Sequence, residues 1–491
     1  MTDSLLARTA RGAGWVMAWR FGMRVLGLTS TLVLVRLLVP ADFGLIALAS
    51  GFMQSVDGLM SLGTEEAVIR TRAPDRDTYD TAFTMTALRG LFASLLVAAL
   101  AFPAAGFFGD ARLGPVLLAV AVLPLLDGLS NIGAVDFRRD MTFHKEFALM
   151  VLPKLGGILT AIVMALLLRS YVAMLCGMLA NRSLRMVMTY VMHPYRPRFS
   201  LRSWRALVGY SVWAWVLSLA MLVRDRSDSL ILGRLTNPAA LGLFGVGTEI
   251  AALPMTELVE PLGRAAFAGF ASARREGAEV RETFLSLIGL SALIALPAGL
   301  GLSLIAAPLV RLTLGAGWDE AVPILQVMPV ACIVMVFGHL SHHLLSAHAL
   351  LARLVALTVA AAAIRVVLLL ALIPVYGIMG AVVAASLAIV AEHGVLVAIA
   401  MRRFGMGASA LAVRLWRPVV ATGAMTAALW GAGLGWQPLG GGVVLQLLGA
   451  IGIGVPVFAA TLLLVWLAAG RPAGAEADIL RLIATRFRRG T

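Results

Sequence analysis

Long apolar runs follow one another along nearly the whole 491-residue chain, and this feature limits what the chain can fold into. Hydrophobic residues make up 60% of the sequence and charged residues only 13%, with a mean hydropathy of +0.92. A soluble domain carries about 25% charged residues, and its core stops growing at about 250–300 residues. A soluble fold of this length therefore has too little interior for so much apolar surface. We predict an all-α polytopic membrane protein.

A membrane-spanning helix needs about 20 mostly apolar residues, and on that rule the chain contains about fourteen candidate spans. The apolar runs are continuous and do not alternate with polar residues, which favours helices over transmembrane strands. The predicted windows are 15–38, 44–63, 81–103, 115–134, 147–168, 171–192, 206–233, 239–261, 284–308, 321–346, 350–373, 376–401, 416–434 and 442–468.

The formal net charge of +14 indicates orientation rather than a nucleic-acid partner, because so few residues are charged overall. If the N-terminus is cytoplasmic and all fourteen spans cross the membrane, 26 of the 40 basic residues fall in cytoplasmic segments. Only five fall in outside loops, and these are Arg36, Arg112, Arg169, Arg234 and Arg311. A missed or additional span would invert this bias, so we predict that both termini are cytoplasmic.

An internal repeat divides the chain. The segment that begins Arg36-Leu-Leu-Val-Pro40 and ends at Leu45 recurs, at an offset of 198 residues, as the segment from Arg234 to Leu243. Each copy follows the first span of one half, which predicts two parallel six-helix lobes and a substrate path between them. The predicted domains are residues 1–200, residues 201–403, two further helices over 404–470 and a basic cytoplasmic tail over 471–491.

Nine basic residues fall inside the predicted spans, although a charge at the bilayer centre costs about 2.5–3.5 kcal/mol or more. Six of them lie in the first lobe with only two acidic residues, Asp57 and Asp127, so that lobe is predicted to be cationic. Arginine suits phosphate because its planar guanidinium binds two oxygens at once. The residues predicted to bind an anionic substrate are Arg20, Arg24, Arg89, Lys154, Arg182, Arg185, Arg224 and Arg365.

Acidic residues in the spans are interpreted as ion-coupling or structural groups, and these are Asp57, Asp228, Glu249 and Glu392. Arg224 and Asp228 lie one helical turn apart and could pair. For Arg20, Lys154, Arg185 and Glu260 a second interpretation is equally open, because they lie close enough to the cytoplasmic ends of their spans to extend to the lipid headgroups.

No enzyme motif is found: the sequence has no Walker loop, no G-x-S-x-G and no large hydrophilic loop, so ATP hydrolysis by this chain is excluded. No cofactor is expected, and coupling to H⁺, to Na⁺ or to neither ion stays open.

The segment from Leu34 to Gly44 resembles a signature that follows the first span in the polysaccharide-transport flippases. The matches are specific only in combination, and they extend in order from about residue 10 to residue 400. The further matches are Leu62-Gly63, Arg138–Phe143, Asp228–Arg234, Ala239–Gly242, Gly317-Trp318 and Tyr376–Gly380 after Pro374.

The resemblance implies a V-shaped, two-lobed bundle like those of the multidrug exporters and the lipid II flippases. It implies alternating access and a lipid-linked oligosaccharide cargo on undecaprenyl pyrophosphate, moved across the bacterial inner membrane for lipopolysaccharide or exopolysaccharide synthesis. Asp228 corresponds to an acidic position of the family and Arg36 to its first-loop arginine, whereas Arg224 and Arg226 depart from the pattern.

The partners this resemblance implies are membrane lipids, the lipid-linked oligosaccharide, a polysaccharide polymerase and glycosyltransferases, with no nucleic acid. Two alternatives are a cation-coupled multidrug exporter of the same fold and a membrane scaffold that transports nothing. The exporter predicts a first lobe rich in acidic residues, whereas this lobe carries only Asp57 and Asp127 within its spans. The scaffold predicts no requirement for an intact charged cavity.

Overall fold

A computed structural model describes residues 22–60, 64, 68–69, 71, 74–140, 142–204, 212–256, 280–348, 351–436, 442–472 and 476. Throughout these residues the regular structure is helical and no strand is formed. The chain divides into two compact units, Met1–Gly242 and Leu243–Thr491. The predicted lobe boundaries at 200/201 and 403/404 stay predictions.

The first unit contains the helices α1 to α9 and the start of α10. Their bounds are α1, 22–37; α2, Pro40–Leu59; α3, Arg76–Phe108; α4, Leu113–Val120; α5, Val122–Gly128; α6, Asp136–Arg139; α7, Phe143–Leu168; α8, Val172–Met192; α9, Val212–Leu235; and α10, Pro238–Pro254. A 3₁₀ turn over Ile132–Val135 precedes α6.

In the second unit the structure describes the rest of α10 and the helices α11 to α16. Their bounds are α11, Val280–Leu304; α12, Ala306–Thr313; α13, Val322–Ala347; α14, Leu351–Arg403; α15, Ala408–Gly431; and α16, Val443–Ala468. A 3₁₀ segment over Ala316–Ala321 leads into α13. Its main core lies where α11, α13 and α14 meet, around Phe284, Leu340 and Leu396.

The apolar helices require a bilayer. Among the described residues, six helices are long and apolar enough to span it, and a seventh span is added if the bent pair Leu113–Gly128 and Ile132–Arg139 counts as one. At most 56% of any apolar window is buried within the protein. Their remaining apolar surface therefore faces outward, as lipid contact requires. The protein is a multi-pass membrane protein, and the count of fourteen spans stays a prediction.

The predicted windows 350–373 and 376–401 lie on one long element, α14. Its only described break is Gly377, whose backbone is not helical at φ 56° and ψ −132°. Pro374 lies three residues earlier and has no N–H to donate, and glycine accepts a positive φ without a Cβ penalty. The pair therefore explains why an apolar run too long for one span bends here.

The two copies of the sequence repeat fold alike and contact each other. In each copy a helix ends, two residues follow, and the next helix begins at proline, Pro40 in α2 and Pro238 in α10. A Cβ on Gly44 would overlap the carbonyl oxygen of Pro238 and lie 2.9 Å from the amide nitrogen of Gly242. A Cβ on Gly242 would overlap the carbonyl oxygen of Pro40 and lie 2.9 Å from the nitrogen of Gly44. Such reciprocity is the mark of a two-fold contact.

Candidate functional site

Two polar cavities lie in the first unit and share one wall. The first has a volume of about 210 Å³ and the second of about 260 Å³. Arg182 and Arg185 line both cavities, together with Leu149 and Met150. Arg89, Asp127, Arg138 and Glu146 line the first cavity, whereas Lys154, Gln54 and Asn181 line the second.

Close packing of α3 on α5 fixes one side of the first cavity. A Cβ on Gly90 would lie 3.1 Å from the Cα of Gly128, so only glycine permits this approach. Arg89 is the neighbour of Gly90, and Asp127 is the neighbour of Gly128. The contact therefore brings a base and an acid from two helices to the same cavity. The opposite side comes from α8, where Arg182 and Arg185 are three residues apart and share a face.

Ion pairs hold three of the cavity arginines. Arg182 Nη1 lies 3.1 Å from Asp127 Oδ1, and Arg138 Nε lies 2.6 Å from Glu146 Oε1. Arg89 Nη1 lies 3.5 Å from Asp57 Oδ1. Opposite charges inside an apolar bundle offset part of each other's desolvation cost. These three ion pairs therefore allow charged guanidinium groups to remain at the cavity.

Two basic groups at the cavities have no such partner. Within the described part of the chain, Arg185 and Lys154 form neither an ion pair nor a hydrogen bond, and both are half-buried. The Nε of Arg89 is buried and also has no hydrogen-bond partner there. The five basic groups at the cavities, set against Asp57, Asp127 and Glu146, leave an excess of two positive charges. The arrangement can bind an anion, and phosphate oxygens suit it best.

The structure brings together only part of the predicted set. Arg89, Lys154, Arg182 and Arg185 line the cavities, and Asp57 joins them through Arg89. Arg24 lies half-buried in α1, next to Met23 of the second cavity wall. Arg20 lies outside the described residues.

The predicted residues of α9 lie apart from the cavity lining. Arg224 Nε donates to Asp225 Oδ1 at 2.9 Å, and Asp228 is 8% exposed. Arg226 Nη2 donates to Gln54 Oε1 at 2.5 Å and so reaches the wall of the second cavity. In the second unit, Glu249 is exposed on α10, and Arg365 and Glu392 are half-buried on α14. None of these three lines either cavity.

Sequence reasoning missed several cavity residues near the ends of spans. Arg138, Glu146, Asn131 and Thr189 line the first cavity and are not among the residues predicted to bind an anion. Asn131 is 2% exposed, its backbone N–H donates to Thr189 Oγ1 at 3.0 Å, and its side-chain amide donates to the Tyr195 carbonyl at 2.6 Å. The signal in the sequence was a pair of oppositely charged residues, Arg138 and Glu146, on the two sides of one short loop.

The segment 193–204 after α8 is fastened to the polar face of α3. The backbone N–H of Arg198 donates to Asp80 Oδ1 at 2.7 Å, and that of Ser200 donates to Thr84 Oγ1 at 2.8 Å. The Tyr195 hydroxyl also donates to Asp80, and burial raises its pKa. Burial lowers the pKa of His193 from its ordinary value, so its ring is neutral at pH 7. This end of the first unit is therefore rigidly held beside the first cavity.

No group of three or more His, Cys, Asp or Glu within the described ranges could hold a metal ion.

Comparison with known proteins identifies the family. The family profile described as Polysaccharide biosynthesis protein matches residues 33–323. The chain is 24% identical to the lipopolysaccharide biosynthesis protein WzxC of Escherichia coli (strain K12), over 70% of this chain and 71% of that protein. It is 21% identical to the succinoglycan biosynthesis transport protein ExoT of Rhizobium meliloti (strain 1021), over 67% of each.

Two solved structures share the fold. One is the lipid II flippase MurJ in an inward closed conformation, with a TM-score of 0.75 and 12% identity over 93% of this chain and 99% of that one. The other is an inward-facing multidrug resistance MATE family transporter of the MOP superfamily, with a TM-score of 0.59 and 14% identity over 78% and 94%. At these identities the likeness concerns the fold. Because the family profile covers more than half of the chain, the protein belongs to the family of polysaccharide biosynthesis proteins.

Proposed function

We propose that this protein is a flippase that moves an undecaprenyl-pyrophosphate-linked oligosaccharide across the bacterial inner membrane. The oligosaccharide would serve lipopolysaccharide or exopolysaccharide synthesis, as the names of WzxC and ExoT suggest for those relatives. The protein is a transporter and not an enzyme. The orientation predicted from the basic residues would place both termini in the cytoplasm.

The observation that carries the proposal is the excess of two positive charges at the cavities of the first unit. A charge in a span costs about 2.5–3.5 kcal/mol or more, so the two positive charges that Asp57, Asp127 and Glu146 leave unbalanced favour a cavity that holds an anion. A pyrophosphate diester carries two negative charges and several oxygens, which match both the charge and the donors of the site. The lipid tail would remain in the bilayer while the sugars occupy the polar space.

The ion pairs suggest how the cavities bind and release the pyrophosphate. Arg185 and Lys154 would contact phosphate first, because neither has to break an ion pair or a hydrogen bond to another described residue. Arg182 and Arg138 would then exchange Asp127 and Glu146 for phosphate oxygens, and the carboxylates would take them back on release. Such an exchange keeps the guanidinium groups paired with a negative charge both with and without bound phosphate. Binding is therefore reversible, as alternating access requires.

The proposal is tested by replacing Arg185 or Lys154 with Gln and measuring flipping of lipid-linked oligosaccharide in proteoliposomes. Loss of one charge-assisted contact to phosphate costs about 1.5–3 kcal/mol, so transport at limiting substrate is expected to fall about tenfold or more. The matched control is Arg202→Gln, whose side chain is 81% exposed and lines neither cavity. Both cavity variants transporting as well as this control, at equal protein levels, would contradict the proposal.

The same variants separate the alternatives left open by the sequence. A multidrug exporter would carry cationic compounds, and an excess of positive charge at the cavities repels them. Increased drug export by Arg185→Gln would therefore favour that alternative. A scaffold would support polysaccharide export in cells regardless of Arg185 and Lys154. The polymerase and glycosyltransferases remain proposed partners, to be sought by co-purification.

A further inference from the structure

A second charged site lies far along the chain from these cavities, in the second unit. A cleft of about 560 Å³ opens between α11, α15 and the residues that follow α16. Its lining is both basic and apolar, with Arg281, Arg414 and Arg417 beside Leu285, Val413 and Trp416. Nothing in the proposed flipping mechanism uses this cleft.

Three guanidinium groups meet a single carboxylate in the lining. Arg414 Nη2 pairs with Glu282 Oε1, while Arg281 is exposed at the edge. Arg417 is 3% exposed, and its Nη1 lies 3.2 Å from Oε1 of Glu476, which is 7% exposed. With Glu476 included, the cleft still carries one more positive than negative charge.

Arg417 is the most informative of these residues. Its Nε and Nη1 are buried without a hydrogen-bond partner among the described residues, because the contact with Glu476 has ion-pair distance but not hydrogen-bond geometry. Leaving a buried N–H of a charged group without an acceptor costs more than leaving a neutral one so. Oxygens from a bound anion would satisfy these donors.

The start of α15 adds to this preference for an anion. Its N-cap is Gly407, which has no side chain to cap the helix, and the first-turn residues Ser409 and Ala410 line the cleft. The first N–H groups of a helix carry a partial positive charge and bind phosphate readily. Guanidinium groups and an uncapped helix start therefore converge on the same space.

The rest of the lining is apolar. Leu285, Val413 and Trp416 line the cleft on α11 and α15, and Trp416 is 44% exposed. Tryptophan is enriched at the level of lipid headgroups, where one side of the ring is apolar and the other is wet. A free anion needs no such surface, whereas a lipid places its phosphate on arginines and its acyl chains on apolar side chains.

We propose that this cleft binds the phosphate of an anionic phospholipid, with Arg281, Arg414 and Arg417 on the headgroup. In the orientation predicted from the basic residues, the cleft faces the cytoplasmic leaflet. Basic pockets between helices on that side are suited to such headgroups. The bound lipid would link α15 and the end of α16 to α11.

The test measures phosphatidylglycerol binding to the full-length protein by native mass spectrometry. The variant is Arg281→Gln with Arg414→Gln, which leaves the buried Arg417 in place. The matched control is Arg402→Gln with Arg403→Gln, since these two exposed arginines end α14 and do not line the cleft. Affinity is expected to fall about tenfold or more in the cleft variant and to stay unchanged in the control.

Phosphatidylcholine and inorganic phosphate are the further probes. Phosphatidylcholine is expected to bind the unaltered protein, the cleft variant and the control variant equally, because its headgroup has no net charge. If inorganic phosphate displaces phosphatidylglycerol completely, the cleft takes soluble phosphate compounds and the lipid assignment is wrong. Equal phosphatidylglycerol affinity in the cleft variant and the control would overturn the site itself. Neither result depends on whether the protein transports oligosaccharide.

Discussion

The two copies of the repeat, residues 36–45 and 234–243, build the same turn with different capping groups. Both place arginine at the end of one helix, proline at the start of the next and glycine four residues later. In the second copy, Asn237 Oδ1 accepts from the backbone N–H of Ala240 at 2.8 Å, an ordinary N-cap. In the first copy Val39 occupies the cap position, and its backbone N–H donates to Asp42 Oδ2 at a long 3.5 Å.

This difference shows that the turn requires its prolines and glycines, whereas the capping group can vary. The glycines and prolines fix the backbone approach of α2 to α10, and no other residue could replace Gly44 or Gly242 without moving a carbonyl. A capping side chain only has to accept a hydrogen bond from one backbone N–H at the helix start. A residue before the first turn, such as Asn237, or one within it, such as Asp42, can do so. Backbone contacts should therefore be worth far more than either cap.

The largest effect is expected from Gly44→Ala or Gly242→Ala. Each added methyl overlaps a proline carbonyl of the other copy, and backbone must move to accommodate it. We expect each variant to lose about 2–4 kcal/mol of stability, as strongly overpacked sites do. The measurement is the thermal unfolding midpoint of the purified protein in detergent. The double variant should cost less than the two singles together, because both disrupt one contact.

Two neighbouring glycines provide controls for this comparison. A Cβ on Gly51 of α2 would meet only Ser229 Cβ at 3.6 Å, and one on Gly245 of α10 would meet nothing within 4 Å. Gly51→Ala and Gly245→Ala should keep or raise stability, since alanine favours a helix by about 1 kcal/mol over glycine. Unfolding midpoints of Gly44→Ala equal to those of Gly51→Ala would show that the contact between the copies carries no energy.

A smaller effect is expected at the caps. Asn237→Ala removes a good N-cap and should cost about 1 kcal/mol, whereas Asp42→Ala should cost less, because its hydrogen bond is long. Hydrogen exchange of the amides at the start of α10 and α2 measures this directly. Adding Ala240→Asp to Asn237→Ala transfers the first copy's residue to the second and should restore part of the protection. No restoration would mean that the two caps are not interchangeable.

The sequence was sufficient for the class of fold, because hydropathy is a property of each helix alone. It also located the repeat, but it gave no indication that Gly44 and Gly242 touch. Their contact depends on how helices far apart in sequence pack. The sequence predicts two spans, 350–373 and 376–401, where the structure has one element with a break at Gly377, one residue inside the second window.

The site was predictable only in part. Arg182 and Arg185 stand out because charges are rare in apolar runs, and they line both cavities. The ion-pair partner of Arg182, Asp127, stands out in the sequence only as an acidic residue in a span, since the pairing joins α5 to α8. Arg138 and Glu146 lie at the edges of a short loop, where charges are common and carry little information. Arg365 and Glu249 are also charged residues in apolar runs, but they lie in the second unit and line neither cavity. The rarity of charged residues in a span does not show which way their side chains face.

The smallest effect concerns the arginine that both copies share. In the second copy, Arg234 Cζ lies 5.1 Å from the ring centre of Phe107, near the end of α3. A cation–π contact at an exposed site is worth about 0.5–1 kcal/mol, and Phe107 is 58% exposed. A double-mutant cycle with Arg234→Gln and Phe107→Leu should give a coupling of about 0.5 kcal/mol, and Phe92→Leu on the same helix should give none with Arg234→Gln. A coupling of zero for Phe107 would leave Arg234 as a lipid-headgroup anchor, with its side chain extended to the interface.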